Sequence, residues 1–135
     1  MGFNVADKSL TVSVALPAAA GTAVTAGIDL GLKAGRDFVP EMEFEVSVPA
    51  TPSLVEAKTI IIDIETDDDV AFGTPKKIAD NLITVTGAAS AAGGAAASER
   101  FRVPTNVERY IRASATVLTG GGDNTAVSIT LKPLF

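Results

Sequence analysis

The 135-residue chain contains 11 Lys and Arg against 16 Asp and Glu, and it has no His, Cys or Trp. Without imidazole or thiol groups, this composition excludes a Ser-His-Asp triad, a cysteine nucleophile and the usual zinc and iron ligand sets. A net charge of −5 also argues against nucleic acid as a partner, because that affinity depends on neutralising phosphates with Lys and Arg. No apolar run reaches the roughly 18 residues that a membrane span needs, so no membrane partner is expected either.

The composition favours an all-β fold. Val, Ile and Thr together account for 37 residues, whereas Leu accounts for only 9 and Gln is absent. Many of the alanines lie in two runs, residues 18–20 and 88–97, beside Gly21, Gly87 and Gly93. Small residues mixed with glycine bury little surface and lose much backbone entropy on ordering, so we expect flexible loops there instead of helices.

Apolar and polar residues alternate along most of the chain, which predicts half-buried antiparallel strands. Residues 67–81 break the pattern and are predicted to be a long connection with one helical turn over residues 76–80, and the glycines at 120–122 predict a hairpin loop. We expect one domain over residues 1–135, an eight-stranded antiparallel jelly roll or related β-sandwich, with an immunoglobulin-like sandwich as the alternative. The predicted strands are residues 10–16, 24–30, 42–48, 59–65, 82–86, 100–103, 109–119 and 127–131.

Charged residues follow the same alternation. Three glutamates share the outer face of the third predicted strand, two arginines share one face of the sixth, and two more lie on opposite faces of the seventh, so one of this last pair is expected to be inward and paired. The charges either form cross-strand ion pairs, each contributing about 0.2 to 1 kcal/mol, or meet complementary charges across subunit boundaries. The residues concerned are Glu41, Glu43, Glu45, Arg100, Arg102, Arg109 and Arg112.

The strongest candidate for a metal site is the acidic stretch Asp63, Glu65 and residues 67–69, since calcium binds several converging carboxylates. Its spacing is not that of an EF-hand, and we favour a solvated acidic loop, because clustered aspartates at a strand end usually keep the edge soluble. The paired glutamates of the third strand have no aromatic platform beside them. We therefore expect no enzyme activity, and we assign no catalytic residue, metal ligand or cofactor.

The C-terminal half resembles a known family. Thr84-Val85-Thr86-Gly87, a small-residue loop over 88–98, Arg100-Phe101-Arg102-Val103-Pro104, Arg109-Tyr110-Ile111-Arg112 and the glycines at 120–122 follow one another in this order. This order resembles capsid cement (decoration) proteins of tailed bacteriophages, of the Bordetella podophage type. The resemblance covers residues 82–131, and the strands predicted over residues 10–30 fit it loosely.

The resemblance implies a single-domain jelly roll that binds the outside of a phage head and bridges neighbouring major capsid protein subunits. It also implies a homo-oligomer, with a dimer as the expected state, made in the host bacterial cytoplasm and located on the outer surface of the virion. We expect the seven charged residues above to make the inter-subunit contacts, with Tyr110 as an aromatic anchor. The alternative is a jelly-roll carbohydrate-binding module that uses the loop at residues 67–69 for calcium.

Overall fold

The computed structural model describes residues 10–31 and 42–134. Within those ranges the chain forms nine β-strands and no α-helix. The strands are β1 (Val12–Ala15), β2 (Gly21–Val24), β3 (Ile28–Asp29), β4 (Glu43–Val48), β5 (Thr59–Asp67), β6 (Lys76–Thr86), β7 (Ala97–Arg102), β8 (Tyr110–Val117) and β9 (Ser128–Leu134).

The strands form two antiparallel sheets. The four-stranded sheet has the order β1-β9-β4-β7, and the five-stranded sheet has the order β2-β8-β5-β6, with β3 also paired to β8. Strands close to the two ends of the described chain pair with each other, as β1 does with β9 and β2 does with β8. The pairing is nested inward from there, through β4 with β7 to β5 with β6.

The core lies between the two sheets, because each strand turns its alternate apolar side chains inward. The predicted inward positions of β4 and β8 are all buried, and β5 is buried on both faces over much of its length. The all-β sandwich predicted from the alternation is confirmed. The largest fully buried side chains are Phe44, Leu16, Leu54, Ile60, Ile62, Ile64, Ile111, Ile129, Leu131, Val46, Val48 and Val117.

The predicted strand over residues 24–30 is divided into two. Val24 lies opposite Ser114 on β8, and Ile28 lies opposite Ile111, so four steps along this edge cover only three on its neighbour. The extra residue is a bulge, and it shifts the alternation: Val24 was predicted to point inward but is exposed, whereas its neighbour Thr25 is buried. The described chain therefore has nine strands where the sequence predicted eight.

The helical turn predicted over residues 76–80 is wrong, because this segment is the first part of β6. Lys76 lies opposite Thr66 of β5, and the β5–β6 register shifts around Asp63. Asn81 has a positive φ of 54° and donates its backbone N–H to Asp63 Oδ1 at 2.7 Å. This bulge breaks the alternation of inward and outward residues, so the segment does not have the sequence pattern of a strand.

The alanine-rich segment between β6 and β7 is a loop, as predicted, but it is packed against its neighbours. Ala88 forms a bridge with Gly93, and Thr51 forms one with Gly94. Gly93 and Gly94 are both buried. Backbone hydrogen bonds and close packing therefore hold a segment that its composition alone describes as flexible.

Candidate functional site

The sequence-predicted residues lie on the outer faces of both sheets. Glu43, Glu45, Arg100 and Arg102 belong to the four-stranded sheet, in β4 and β7. Arg109, Tyr110 and Arg112 lie at the start of β8 in the five-stranded sheet. The structure therefore divides the predicted residues between two surfaces, and Glu41 lies outside the described residues.

On the four-stranded sheet the opposite charges are direct cross-strand neighbours. Glu43 lies opposite Arg102, with Oε1 and Nη2 3.5 Å apart, and Glu45 lies opposite Arg100, with Oε2 and Nε 3.6 Å apart. Glu45 also pairs with Lys132 of β9, whose Nζ is 3.3 Å from Oε1. These pairs match the cross-strand interpretation of the charges, and we call them the ion-pair ladder.

Sequence reasoning missed Lys132 as a member of this ladder. The signal was the alternation of β9, where Thr130 and Lys132 flank the buried Leu131. The charged ends of the two arginines remain accessible, because the side chains of Arg100 and Arg102 are 69% and 68% exposed. Each guanidinium therefore keeps donors that its glutamate does not use.

Next to the ion-pair ladder, a row of hydroxyl groups crosses all four strands of the sheet. Ser13 lies opposite Thr130, Thr130 lies opposite Ser47, and Ser47 lies opposite Ser98. Neighbouring strands are about 4.8 Å apart, so the row is regular. One half of this outer face is thus uncharged, and the other half carries compensated charge.

A shallow open depression of about 360 Å³ lies at the edge of the hydroxyl row. Its lining has no charged and no aromatic side chain. A small-molecule site normally buries most of its ligand and fixes it with a few polar groups, whereas this depression is open and its polar side chains are two serines. The lining residues are Ser47, Val48, Pro49, Ala96, Ala97 and Ser98.

Arg109 forms a two-point ion pair with Asp29 of β3. Its Nε donates to Oδ1 at 3.0 Å and its Nη2 donates to Oδ2 at 2.9 Å, while the guanidinium lies 5.2 Å from the centre of the Tyr110 ring. The hydrogen bond from Arg109, together with the Gly31 backbone N–H, lowers the pKa of the Asp29 carboxyl below its ordinary value. Both partners are almost half exposed, so this pair lies at the protein surface.

Arg112 forms a more buried pair. Its Nε donates to Glu65 Oε1 at 2.8 Å, and the two side chains are only 16% and 14% exposed. The guanidinium lies 4.2 Å from the centre of the Phe72 ring, and a Cβ on Gly27 would lie 2.8 Å from an atom of the same ring. Both arginines are paired, but the predicted inward position is wrong: Arg109 lies at the surface, and Arg112 is buried under a loop on the outer face and not in the core.

The acidic stretch stabilises the loop that follows β5 through hydrogen bonds to its backbone. The carboxylate of Asp67 accepts the backbone N–H of Asp69 at 2.9 Å and that of Thr74 at 2.8 Å. The bond from Asp69 is the main cause that lowers the pKa of Asp67. Asp63 accepts the Asn81 N–H and lies 3.1 Å from Lys77 Nζ.

These contacts use carboxylates that were considered as calcium ligands. Among residues 10–31 and 42–134, no three acidic side chains come together as a metal site. Asp63, Glu65 and Asp67 instead bind donors of the protein itself. Asp63 and Asp67 are buried, so the solvated-loop interpretation fits only the exposed Asp68 and Asp69.

No protein-family model and no curated protein matches this sequence. In the part of the chain that the structure describes, no helix is long and apolar enough to cross a membrane.

Proposed function

We propose that this chain is a structural protein, a capsid cement protein that binds the outside of a phage head and bridges neighbouring major capsid protein subunits. The observation that carries the proposal is the outer face of the four-stranded sheet, where the ion-pair ladder lies beside the hydroxyl row. A broad, shallow face with compensated charge suits a large contact repeated over a lattice. It suits a small-molecule pocket poorly.

The strand pairing supports the same proposal. A jelly roll is one long hairpin wrapped into two sheets, and it pairs its first strand with its last and its middle strands with each other. The nested pairing of β1 with β9, β4 with β7 and β5 with β6 has this form. We include jelly-roll topology in the proposal, in agreement with the family that residues 82–131 resemble.

The arginines of the ion-pair ladder are the proposed contacts with the capsid. Arg100 and Arg102 each have five N–H donors, and their single contacts with glutamate leave most of them available. A carboxylate of a shell protein can then bind such a guanidinium at two points. Two or more contacts of this kind in one oligomer raise the overall avidity without any single contact being strong.

The test is co-sedimentation of the purified chain with empty capsids from the same source. We expect the wild-type chain to pellet with the shells and the Arg100→Gln/Arg102→Gln double variant to bind about tenfold or more weakly. Lys76→Gln is the control, since it removes a positive charge from an exposed side chain of the other sheet and should bind as wild type does.

A wild-type chain that stays in the supernatant at every shell concentration contradicts the proposal. Equal binding by the double variant would contradict the role of Arg100 and Arg102. Tight, calcium-dependent binding in a glycan array would favour the carbohydrate-binding alternative instead. Calorimetry with calcium alone decides whether the acidic loop contributes to such binding.

A further inference from the structure

The edges of the two sheets differ in their chemistry. The edges are β1 and β7 in the four-stranded sheet, and β2 and β6 in the five-stranded sheet, with β3 continuing the β2 edge. An edge strand has a row of backbone N–H and C=O groups without partners, and these groups can pair with another chain. Proteins usually block such edges with charges, bulges or inward-pointing polar residues.

The β6 edge is blocked by charge and by a bulge. Lys76, Lys77 and Asp80 are exposed along it. Asn81 has a positive φ and lies where the register with β5 shifts. A second strand cannot align continuously along an edge of this shape.

The β7 edge is blocked by charge on both faces. Arg100 and Arg102 project from the outer face. Glu99 lies opposite the fully buried Val46, so its side chain projects from the inner face at the sheet margin. An inward-pointing charge on an edge strand opposes the addition of another strand.

The β2 and β3 edge is interrupted. The bulge between Val24 and Ile28 breaks it into one piece of four residues and one of two. Asp29 in the second piece is charged and bound to Arg109. β2 is as long as β1, but the bulge and Asp29 prevent a second strand from aligning beyond it.

The β1 edge has none of these features. Residues 10–28 contain no charged side chain. Leu16 donates its N–H to Val127 O at 2.9 Å, and bonded positions alternate in an antiparallel pair. The N–H and C=O groups of Ser13 and Ala15 therefore point away from β9, and among the described residues β1 pairs with no strand except β9.

We propose that the β1 edge binds β1 of a second copy of this chain, antiparallel and across a two-fold axis. The two four-stranded sheets then join into one continuous sheet of eight strands. This inference deepens the proposed function, and it rests on that proposal for the expectation of a homo-oligomer.

Two-fold symmetry favours a second copy of this chain as the partner. In a two-fold interface the same surface patch meets itself, so charges on an edge strand face like charges of the other copy. Among the described edges, β1 and the equally short β2 carry no charge, and β1 is preferred because the bulge and the charged Asp29 of β3 follow directly after β2. Its exposed side chains, Ser13 and Ala15, are small, and the half-buried Val12 and Val14 can extend the apolar layer across the axis.

A matched pair of variants tests the inference. Ser13 and Ser98 are both exposed serines at the two ends of the hydroxyl row, one on the β1 edge and one on the β7 edge. We expect sedimentation velocity of the full wild-type chain to give twice the 13.7 kDa mass, with dissociation on dilution because β1 is short. Ser13→Lys should raise the dissociation constant about tenfold or more, and Ser98→Lys should leave it unchanged.

A second variant keeps the test decisive if lysine disturbs folding. Ser13→Pro removes an N–H that points away from β9, so the β1–β9 ladder keeps its bonds while the edge loses a donor. It should also weaken the dimer, whereas Ser98→Pro should not. Circular dichroism and thermal unfolding of each variant show that the monomer is folded.

Three outcomes overturn the inference. The first is a wild-type chain that remains monomeric at every concentration, and the second is equal sensitivity of the dimer to Ser13→Lys and Ser98→Lys. The third is concentration-independent protection of the Ser13 and Ala15 amides from hydrogen exchange, because the chain itself then covers the edge. Shell binding is measured separately on the same samples, so a dimer that ignores capsids contradicts the cement proposal but leaves the β1 interface standing.

Discussion

The two ends of the sandwich are closed in different ways. The small-residue end, formed by the loops at residues 49–58, 87–96 and 118–127, is closed by its backbone. Thr51 and Gly94 exchange two backbone hydrogen bonds of 2.8 and 2.9 Å, and Leu54 is buried beneath them. A Cβ on Gly87 would be 2.1 Å from Val55 O, so the loops approach each other as closely as glycine allows.

The charged end, formed by the loops at residues 68–75 and 103–109, is closed by side chains. Asp67 binds two backbone N–H groups of its loop, and Lys76 binds Glu108 at 2.6 Å. Arg112 supports the loop from below through its contact with Phe72. These contacts depend on charge and therefore on protonation and salt.

Both open ends of the β-sandwich must be covered. One end is covered by closely packed backbone, and the other is covered by charged side chains. Close packing tolerates no added atom but is insensitive to pH. Ion pairs and charged hydrogen bonds tolerate changes of shape better and fail in acid. The two ends should thus respond to different perturbations.

The largest effect is expected at the small-residue end, from Gly93→Ala. Gly93 has a φ of +72°, and a Cβ there would be 2.5 Å from Thr51 O and 2.6 Å from Pro52 Cα. Overpacking and an unfavourable backbone conformation together should lower the free energy of unfolding by about 3 kcal/mol, measured by urea denaturation.

Gly73→Ala is the control at the charged end. The nearest atom to its new Cβ would be Asp69 Oδ2 at 3.7 Å, so the expected change is within about 0.5 kcal/mol. Equal losses from Gly93→Ala and Gly73→Ala would show that close packing does not distinguish the two ends.

The next effect is expected from Arg112→Met on the five-stranded sheet. The substitution leaves the Glu65 carboxylate, which is 14% exposed, without its partner and removes the cation from the Phe72 ring. We expect a loss of about 2 kcal/mol in the free energy of unfolding, below the range for a fully buried pair. Urea denaturation at neutral pH measures it.

Arg109→Met provides the comparison for this pair. It removes a pair that has two hydrogen bonds where Arg112 and Glu65 have one, but its partners are almost half exposed, so the loss should be clearly smaller. If Arg109→Met costs as much as Arg112→Met, burial does not determine the strength of these pairs.

The sequence predicted the parts of the fold that depend on alternation. The inward residues of β4 and β8 and the central position of β5 follow from side-chain periodicity alone. The first half of β6 was missed because the bulge at Asn81 breaks that periodicity, and the sequence does not reveal that Asp63 accepts the Asn81 N–H. Bulges are set by such contacts between strands, which lie far apart in the chain.

The sequence also predicted part of the candidate site. The opposite charges of β4 and β7 were recognised on their separate strands, but the sequence does not give the register that places Glu45 between Arg100 and Lys132. The packed loop at residues 87–96 was missed for a related reason. Its order comes from Thr51, Leu54 and Val55 in another loop, and composition describes only the segment itself.

The smallest change in the free energy of unfolding at neutral pH is expected from Asp67→Asn at the charged end. Its dependence on pH distinguishes closure by charge from closure by close packing. Backbone N–H groups hold the pKa of Asp67 below its ordinary value of 3.8, so the unfolded chain takes up the proton first as the pH falls. The stability that Asp67 contributes is therefore fully present above about pH 5 and is lost as the pH falls through 3.8 and then through the lowered folded pKa. Asp67→Asn removes this contribution, so its deficit relative to wild type should be largest near neutrality and should shrink in acid.

Urea midpoints of the two chains from neutral pH down to about pH 2.5 measure this course. Asp68→Asn removes the same charge from an exposed side chain of the same loop and so controls for net charge. Asp29 also has a lowered pKa at the charged end, so Asp67→Asn should flatten the acid response without abolishing it. If the stability deficit of Asp67→Asn stays constant across the whole pH range, the charge of Asp67 does not stabilise its loop. The proposed difference between the two ends would then be wrong for the residue on which it chiefly depends.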